Sequence, residues 1–452
     1  MKEISIARLD SSQPGFRQQL DALRQRLSPA GNVVSPRSRD LTLKVFGEPL
    51  SPQQVVERIC SDVRHQGTQA LRHYCQQLDG SALAAEDLRI KPEQLAAAHA
   101  AAKPEFLSTI RRVRERIHSF QTAILNSSVQ FSPEPGVMLE QRYLPLRRVG
   151  VCVPGGAAAY PSTVLMTVIP AQAAGVEQIA LVAPPTPFGA FNPDILAVCH
   201  ELQVTEVYAM GGAQAVAALA YGTEGIAGVD KIVGPGNLFV ALAKRHVYGQ
   251  VDIDSIAGPS EVVVIADQTT RPDFAAADML AQAEHSPGSS IVISWQPATL
   301  DAIYRQLQLQ LRQLERAELT MDALEAFGAM VLVRDEREAC ELTEQLATEH
   351  LHVCIDQPRR LLPFLRNAGA TFLGSYSPVA LGDYAAGPSH VLPTGGTARW
   401  ASGLSSNHFL RSSSVIEFNR LGLEAIANDV ERLATCEGLT AHRQSISIRR
   451  QG

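Results

Sequence analysis

The sequence predicts an α/β protein built as two lobes, each around a parallel sheet, with a cleft between them. Two observations carry that expectation. From Val149 onward, short apolar runs rich in Val and Ile alternate with longer stretches of helical periodicity, in two successive series. Strands spaced by helices of ten or more residues are joined by crossovers, which make neighbouring strands parallel. Glycine-rich turns also recur where strand-like runs give way to helices, at "VPGGAAAYPS", "AMGGAQAVAAL" and "VGPGN". Such turns suit the βα junctions of Rossmann-like lobes.

The first 45 residues are polar and mixed, a small N-terminal extension in which "SPAGNVVSPRSRD" reads as a loop. From Ser51 to Ser128 apolar residues recur at three and four, the period of an amphipathic helix, and Ser51-Pro52 supplies a cap and first turn. One strand series then runs through "EQIALVAPP", "EVYAMGG", "KIVGPG" and "EVVVIAD", separated by the helical "PDILAVCHELQV", "AQAVAALAYG" and "NLFVALAKRHVYG". The other runs through "SSIVISW", "AMVLVRD", "HVCID" and "ATFLGSYS". Its helical stretches are "PDFAAADMLAQAEH", "EREACELTEQLATEH" and "PRRLLPFLRNAG". These patterns divide the chain into residues 46–150 with 261–404 as a first lobe, 151–260 as a second, and 405–452 as a helical C-terminal tail without strand alternation.

Net charge is −6 with both signs interspersed, so the chain has neither a basic stripe for nucleic acid nor an acidic disordered arm. The longest uncharged stretch, Val149–Val176, is broken by Pro154, Pro161 and Pro170. It makes a poor membrane helix and a good buried loop–helix unit. Seven cysteines without CxxC spacing, and an N-terminus without an apolar signal core, point to a reducing cytoplasm and buried thiols.

Four stretches hold candidate chemistry. In "QAEHSPG", Gln282 and His285 sit three apart at a helix end, on one face. They are either metal ligands or a polar helix end whose histidine complements the dipole. In "ATEHLHVCID", Glu349 and His350 lie at a helix–strand junction with His352 close by. An imidazole beside a carboxylate can take and return a proton near neutral pH, or it can be a helix-end histidine beside a solvated glutamate. The loop "LGDYAAGPSHVLPTGGTARWASGLSS" holds Asp383, His390 and Arg399 among backbone-permissive residues, as site walls often do. Asp383 there is a metal ligand, an orienting group or a turn residue. Glu437 and His442 lie in the tail, where a surface role is the default. The three glycine turns offer backbone N–H groups to an anion, or are simply tight turns; none has G-x-G-x-x-G spacing.

Taken in order, "RRVGVCVPGGAAAYPSTVLM", "GGAQAVAALAYGTE", "VDKIVGPGN", "AGPSEVVVIAD", "AQAEHSPGS", "EHL", "GDYAAGPSHVLPTGG" and "GLTAHRQSISIR" resemble the histidinol dehydrogenase family. The resemblance covers most of the chain and is weaker in roughly the first hundred residues. It implies a zinc- and NAD-dependent alcohol and aldehyde dehydrogenase. Two hydride transfers would take L-histidinol through histidinaldehyde to L-histidine, the last step of histidine biosynthesis. It implies one zinc per subunit on Gln282, His285, Asp383 and His442, and Glu349 with His350 as the catalytic pair. Ser260, Gln282, His285, His350, Asp383, Glu437 and His442 match substrate-contacting positions. Gln214 and Asn237 match NAD-contacting positions, which makes 151–260 the nucleotide-binding lobe. The family is a cytoplasmic homodimer with shared sites, so Glu437 and His442 are expected to reach into the partner's site, with no nucleic acid or membrane involved.

One position departs from the family pattern. Cys152 stands where tyrosine is usual, which removes a stacking face and a phenol hydroxyl; nearby Tyr160 is the candidate to compensate. Two rival readings remain at this level: a paralogous zinc- and NAD-dependent dehydrogenase of another small polar alcohol, such as a sulfonated diol, and a non-catalytic two-lobed binding protein. Glu349, Glu437 and His390 together favour histidinol, because a carboxylate receives a cationic amine or imidazole and repels a sulfonate.

Overall fold

The structure is a computed structural model describing residues 3–27, 36–80, 87–156, 158–285 and 287–451. Each predicted apolar run between residues 178 and 373 forms a strand. One sheet has five strands in the order Glu206–Ala209, Gln178–Ala183, Arg148–Cys152, Lys231–Val233, Asp252–Ile253. The other has six, in the order Ala7–Asp10, Ala329–Leu332, Gly288–Ser294, Ser260–Ala266, His350–Val353, Ala370–Leu373. Every pairing in both is parallel. Both faces of each sheet are covered: two apolar clusters share the strands of the first, and two more those of the second. That double covering is why the strands read as continuous apolar runs and not as an alternation.

The two sheets repeat one topology. In each, the central strand comes first in the chain, Arg148–Cys152 in one and Ser260–Ala266 in the other, with the next two strands to one side and the following two to the other. This is the strand order of a Rossmann-like half, and the order reverses between Arg148–Cys152 and Lys231–Val233 in one sheet and between Ser260–Ala266 and His350–Val353 in the other. The first of these centres is not among the expected strand runs, and "EVVVIAD", expected in the earlier series, opens the later one.

Several expectations are corrected. The helices Pro52–Gln66 and Thr68–Leu78 pack on the helices that cover one face of the five-stranded sheet, and Pro92–Ala101 and Pro104–Ala123 on those that cover the other. These four helices of the 46–150 segment therefore flank the five-stranded sheet and not the lobe of 261–404. Helical periodicity shows that a stripe is apolar, not which surface it meets. Ala7–Asp10 is an edge strand of the six-stranded sheet, and Phe16, Leu20 and Leu23 pack on that sheet, so this part of the N-terminal extension belongs to that lobe's frame, whereas Val45 and Phe46 pack with the five-stranded one. In the segment read as a loop, residues 28–35 lie outside the described residues, and Pro36–Phe46 is a helix. The tail carries a nine-residue strand, Leu410–Phe418, antiparallel to Val137–Pro145, which also pairs with Val129–Phe131. Most of that strand is exposed, so it has no inside–outside alternation to read. The helices Arg420–Cys436 and Thr440–Gln451 follow, packed on each other.

Ser51 caps its helix as anticipated: its Oγ accepts from Gln54 N at 3.3 Å while Gln54 Oε1 accepts from Ser51 N at 3.0 Å, a capping box. All seven cysteines are free, six of them buried and Cys436 exposed. Among the described residues no helix is long and apolar enough to cross a membrane.

Candidate active site

A crossover helix runs antiparallel to the strands it connects. The helix Pro272–Ala283 leaves the carboxyl end of Ser260–Ala266 and returns to the amino end of Gly288–Ser294. Its last turn, with Gln282 and then His285, thus lies along the edge where Ser260 and His350 begin their strands. Asp383 arrives on the helix Val379–Tyr384, which follows the last strand of the sheet.

His350 pairs with Val262 across the ladder. Its Nδ1 lies 3.1 Å from the carbonyl oxygen of Glu261, a group that only accepts. Nδ1 therefore carries the proton, and in the neutral ring Nε2 keeps its lone pair. Nε2 is 3.8 Å from Asp383 Oδ1. Burial lowers the pKa of His350, against the pull of Asp383 and the Glu261 carbonyl, which favours the neutral ring. Glu349 behaves oppositely. Its Oε2 accepts from Ser260 Oγ at 2.6 Å and from Glu261 N at 2.9 Å. Burial outweighs both bonds and pushes its pKa up to about 7. Adjacent residues thus offer two bases suited to neutral pH.

Gln282 is 3% exposed, and its Nε2 has no hydrogen-bond partner among the described residues. A buried amide atom left unpaired costs about 1–3 kcal/mol, and a half-turn of the amide places its oxygen there as a ligand. His285 and Asp383 open onto a cavity of about 590 Å³ that Tyr160, Glu284, Arg316 and Tyr384 also line. Desolvation lowers the pKa of His285, helped by His350 and Arg316, and raises that of Asp383, against His350. A neutral imidazole, a carboxylate and an orphaned amide are a nitrogen–oxygen donor set that fits a divalent zinc ion, although glutamine is an uncommon zinc ligand. Among the described residues no three His, Cys, Asp or Glu side chains are arranged to hold a metal. An amide ligand and a histidine from another subunit would leave that result.

The other anticipated positions separate. Glu437 and His442 are exposed on the tail, and neither lines the cavity. His390 stays at the site: its Nδ1 is 2.9 Å from the Asp383 carbonyl, and burial lowers its pKa to about 4. Arg399 Nε donates to Gly396 O at 3.2 Å, a local turn contact. His352 turns to a different task. Its Nε2 lies 3.0 Å from Gly374 O and its Nδ1 2.6 Å from Asp278 Oδ2, a close approach without hydrogen-bond geometry that becomes an ion pair when the ring is protonated and sets the helix of Gln282 against the strand of His350. Asp278 escaped the sequence reading, yet Asp278, Gln282 and His285 follow i, i+4, i+7 spacing on one helix face, which was visible there.

Gln214 and Asn237 line a second cleft of about 310 Å³ with Gly156 and Gly212. It opens at the carboxyl ends of the five-stranded sheet, where the strand order reverses and where open α/β sheets take their ligands. Gly156 has nothing within 4 Å of where a Cβ would stand, so a ligand can come close to its backbone. Gly234, by contrast, is a packing glycine: at φ +104 a Cβ would meet Cys152 O at 2.2 Å. Cys152 itself is buried in the core and does not line the cleft, while Tyr160 lines the larger cavity. Asn237 Oδ1 accepts from Val240 N at 3.1 Å and caps the next helix, leaving its amide nitrogen for other partners.

Two doubly covered parallel sheets, with a cavity at the amino-end edge of one and a cleft at the switch point of the other, define a two-lobed α/β protein of Rossmann-like halves. Residues 49–450 match the family described as histidinol dehydrogenase. A histidinol dehydrogenase of Rhodopirellula baltica is 60% identical over 450 residues, 99% of this chain and 98% of that one. One from Moorella thermoacetica is 47% identical over 397 residues, 88% and 94% of the two chains. The crystal structure of histidinol dehydrogenase from Elizabethkingia anophelis superposes with a TM-score of 0.88 at 30% identity, covering 100% of this chain and 99% of that one. The chain belongs to the histidinol dehydrogenase family.

Proposed function

We propose that this oxidoreductase converts L-histidinol to L-histidine in the cavity beside His350, by two successive oxidations with zinc and NAD bound. NAD supplies the hydride acceptor for both. Gln282, His285, Asp383 and His442 of the partner subunit would hold zinc, which would supply a Lewis acid to orient the substrate. His350 Nε2, deprotonated and 3.8 Å from the Asp383 carboxylate that lines the cavity, takes the hydroxyl proton as the carbinol carbon is oxidised. Glu349, with a pKa near 7, takes a proton from the water that adds to the aldehyde. His350 takes the proton of the hydrate's hydroxyl in the second oxidation. Ser260 tunes Glu349 through its hydrogen bond.

The observation that carries this reading is the fixed tautomer of His350 beside a carboxyl titrating near neutrality. Gln214 and Asn237 are read as contacts to NAD, supported by the shared cleft and by the unpartnered Gln214 Oε1. The chain is further read as a cytoplasmic homodimer whose tails complete each other's sites. The tail helices leave Leu421, Leu433 and Ile448 more than half exposed, which supports a partner there, and six buried free thiols support a reducing compartment. The test is NADH absorbance with L-histidinol, with and without a chelator. Two NADH per histidinol, lost on chelation, is the expected result; one NADH signals an alcohol-to-aldehyde enzyme, and none overturns the reading.

A further inference from the structure

Gln214 is 1% exposed, and its Oε1 has no hydrogen-bond partner among the described residues. Its Nε2 donates to Asp79 Oδ2 at 3.0 Å, which fixes the amide, since the reverse orientation would set two acceptors against each other. Asp79 comes from far away in the chain, directly after the helix Thr68–Leu78. The same carboxylate oxygen accepts from Gly211 N at 3.3 Å, at the start of the helix Gly212–Tyr221. Gly212 has φ +65, and a Cβ there would stand 2.8 Å from Gln214 Oε1, so only glycine leaves that oxygen its place. Asp79 and Gln214 both line the cleft, whose apolar side includes Phe46, Ile59 and Phe239. An apolar slot therefore ends in two acceptors, a buried amide oxygen and a carboxylate.

We propose that Asp79 and Gln214 together receive a hydrogen-bond donor on the adenosine half of the dinucleotide, and that Asp79 determines cofactor specificity. This rests on reading the cleft as the nucleotide site. Adenosine offers two kinds of donor, the exocyclic amine of the base and the ribose hydroxyls. A flat base suits the apolar slot. An acceptor pair rejects a carbonyl edge in place of the amine, and a carboxylate rejects a phosphate in place of the 2′-hydroxyl.

The experiment is isothermal titration calorimetry of the full chain, without substrate, against NAD, nicotinamide hypoxanthine dinucleotide and NADP. The variant Asp79→Asn keeps an oxygen for Gln214 Nε2 and Gly211 N–H, so the helix start stays capped, but turns an NH2 group toward the cleft. The parent is expected to bind NAD at least about tenfold more tightly than one analogue: the hypoxanthine cofactor if the donor is the amine, NADP if it is a hydroxyl. Asp79→Asn should weaken NAD on the order of tenfold and narrow that gap, with an unchanged melting temperature. Equal binding of all three cofactors to the parent overturns the proposal, as does a variant that weakens all three alike. Gln214→Ala separates the two levels. If it leaves NAD binding unchanged, the cleft is not the nucleotide site; if it weakens NAD while Asp79→Asn does not, only the role of Asp79 falls.

Discussion

Ser260 donates its hydroxyl to Glu349 at 2.6 Å, joining the start of one central strand to the residue before its neighbour. That bond and the Glu261 N–H are the two contacts that stabilise the ionised carboxylate against its burial. Ser260→Ala removes one of them. Glu349 should then titrate higher still, and the rise of kcat with pH should move up by about one unit. The pH–rate profile checks this; an unmoved profile would detach Glu349 from the rate.

The same raised pKa has a consequence for stability. Glu349 titrates at about 7 in the folded chain against an ordinary value of 4.5, so between those values the native state holds a proton that the unfolded state releases. Its contribution is fully present below pH 4.5 and is lost as pH rises through 7, by on the order of 3 kcal/mol. Glu349→Gln escapes that loss. Its melting temperature relative to the parent, both metal-free, should rise between pH 5 and pH 8. A difference that does not change with pH would contradict the burial argument.

Much of this architecture was legible. Strands buried on both faces, such as Ser260–Ala266, announce themselves by composition, and the crossover helices by length. Gln282 and His285 at a helix end, Glu349 and His350 at a helix–strand junction and Asp383 in a glycine- and proline-rich loop stand out as polar residues in such stretches, but the local pattern leaves their roles open and only the family resemblance assigns them. What was lost has physical causes. The stripe on Pro52–Gln66 does not say which sheet it covers. Leu410–Phe418 is a ribbon strand with little buried, so no period betrays it. Asp79 meets Gln214, more than a hundred residues away, and nothing in "QQLDG" signals that contact.

The Asp278–His352 pair sets the helix bearing Gln282 and His285 against the strand bearing His350. Asp278→Asn should loosen that helix end and weaken zinc binding about tenfold. Competition with a chelating dye measures it. Unchanged affinity would make the pair a packing feature only.

Sharing of sites predicts complementation. His442→Ala chains and His350→Ala chains, each inactive alone, should regain part of the parent activity when mixed into heterodimers, because one of the two sites then carries neither defect. Verified heterodimers without recovery would show that each site is made within one chain.

The central claim is a division of labour, with Gln282, His285 and Asp383 holding metal while His350 moves protons. Zinc content and NADH production measured on the same preparations test it most directly. His350→Asn should keep a full complement of zinc with turnover reduced at least about a hundredfold, while His285→Ala should lose both. A His350→Asn protein that comes out zinc-free would contradict the account, since His350 would then be a ligand and not the base.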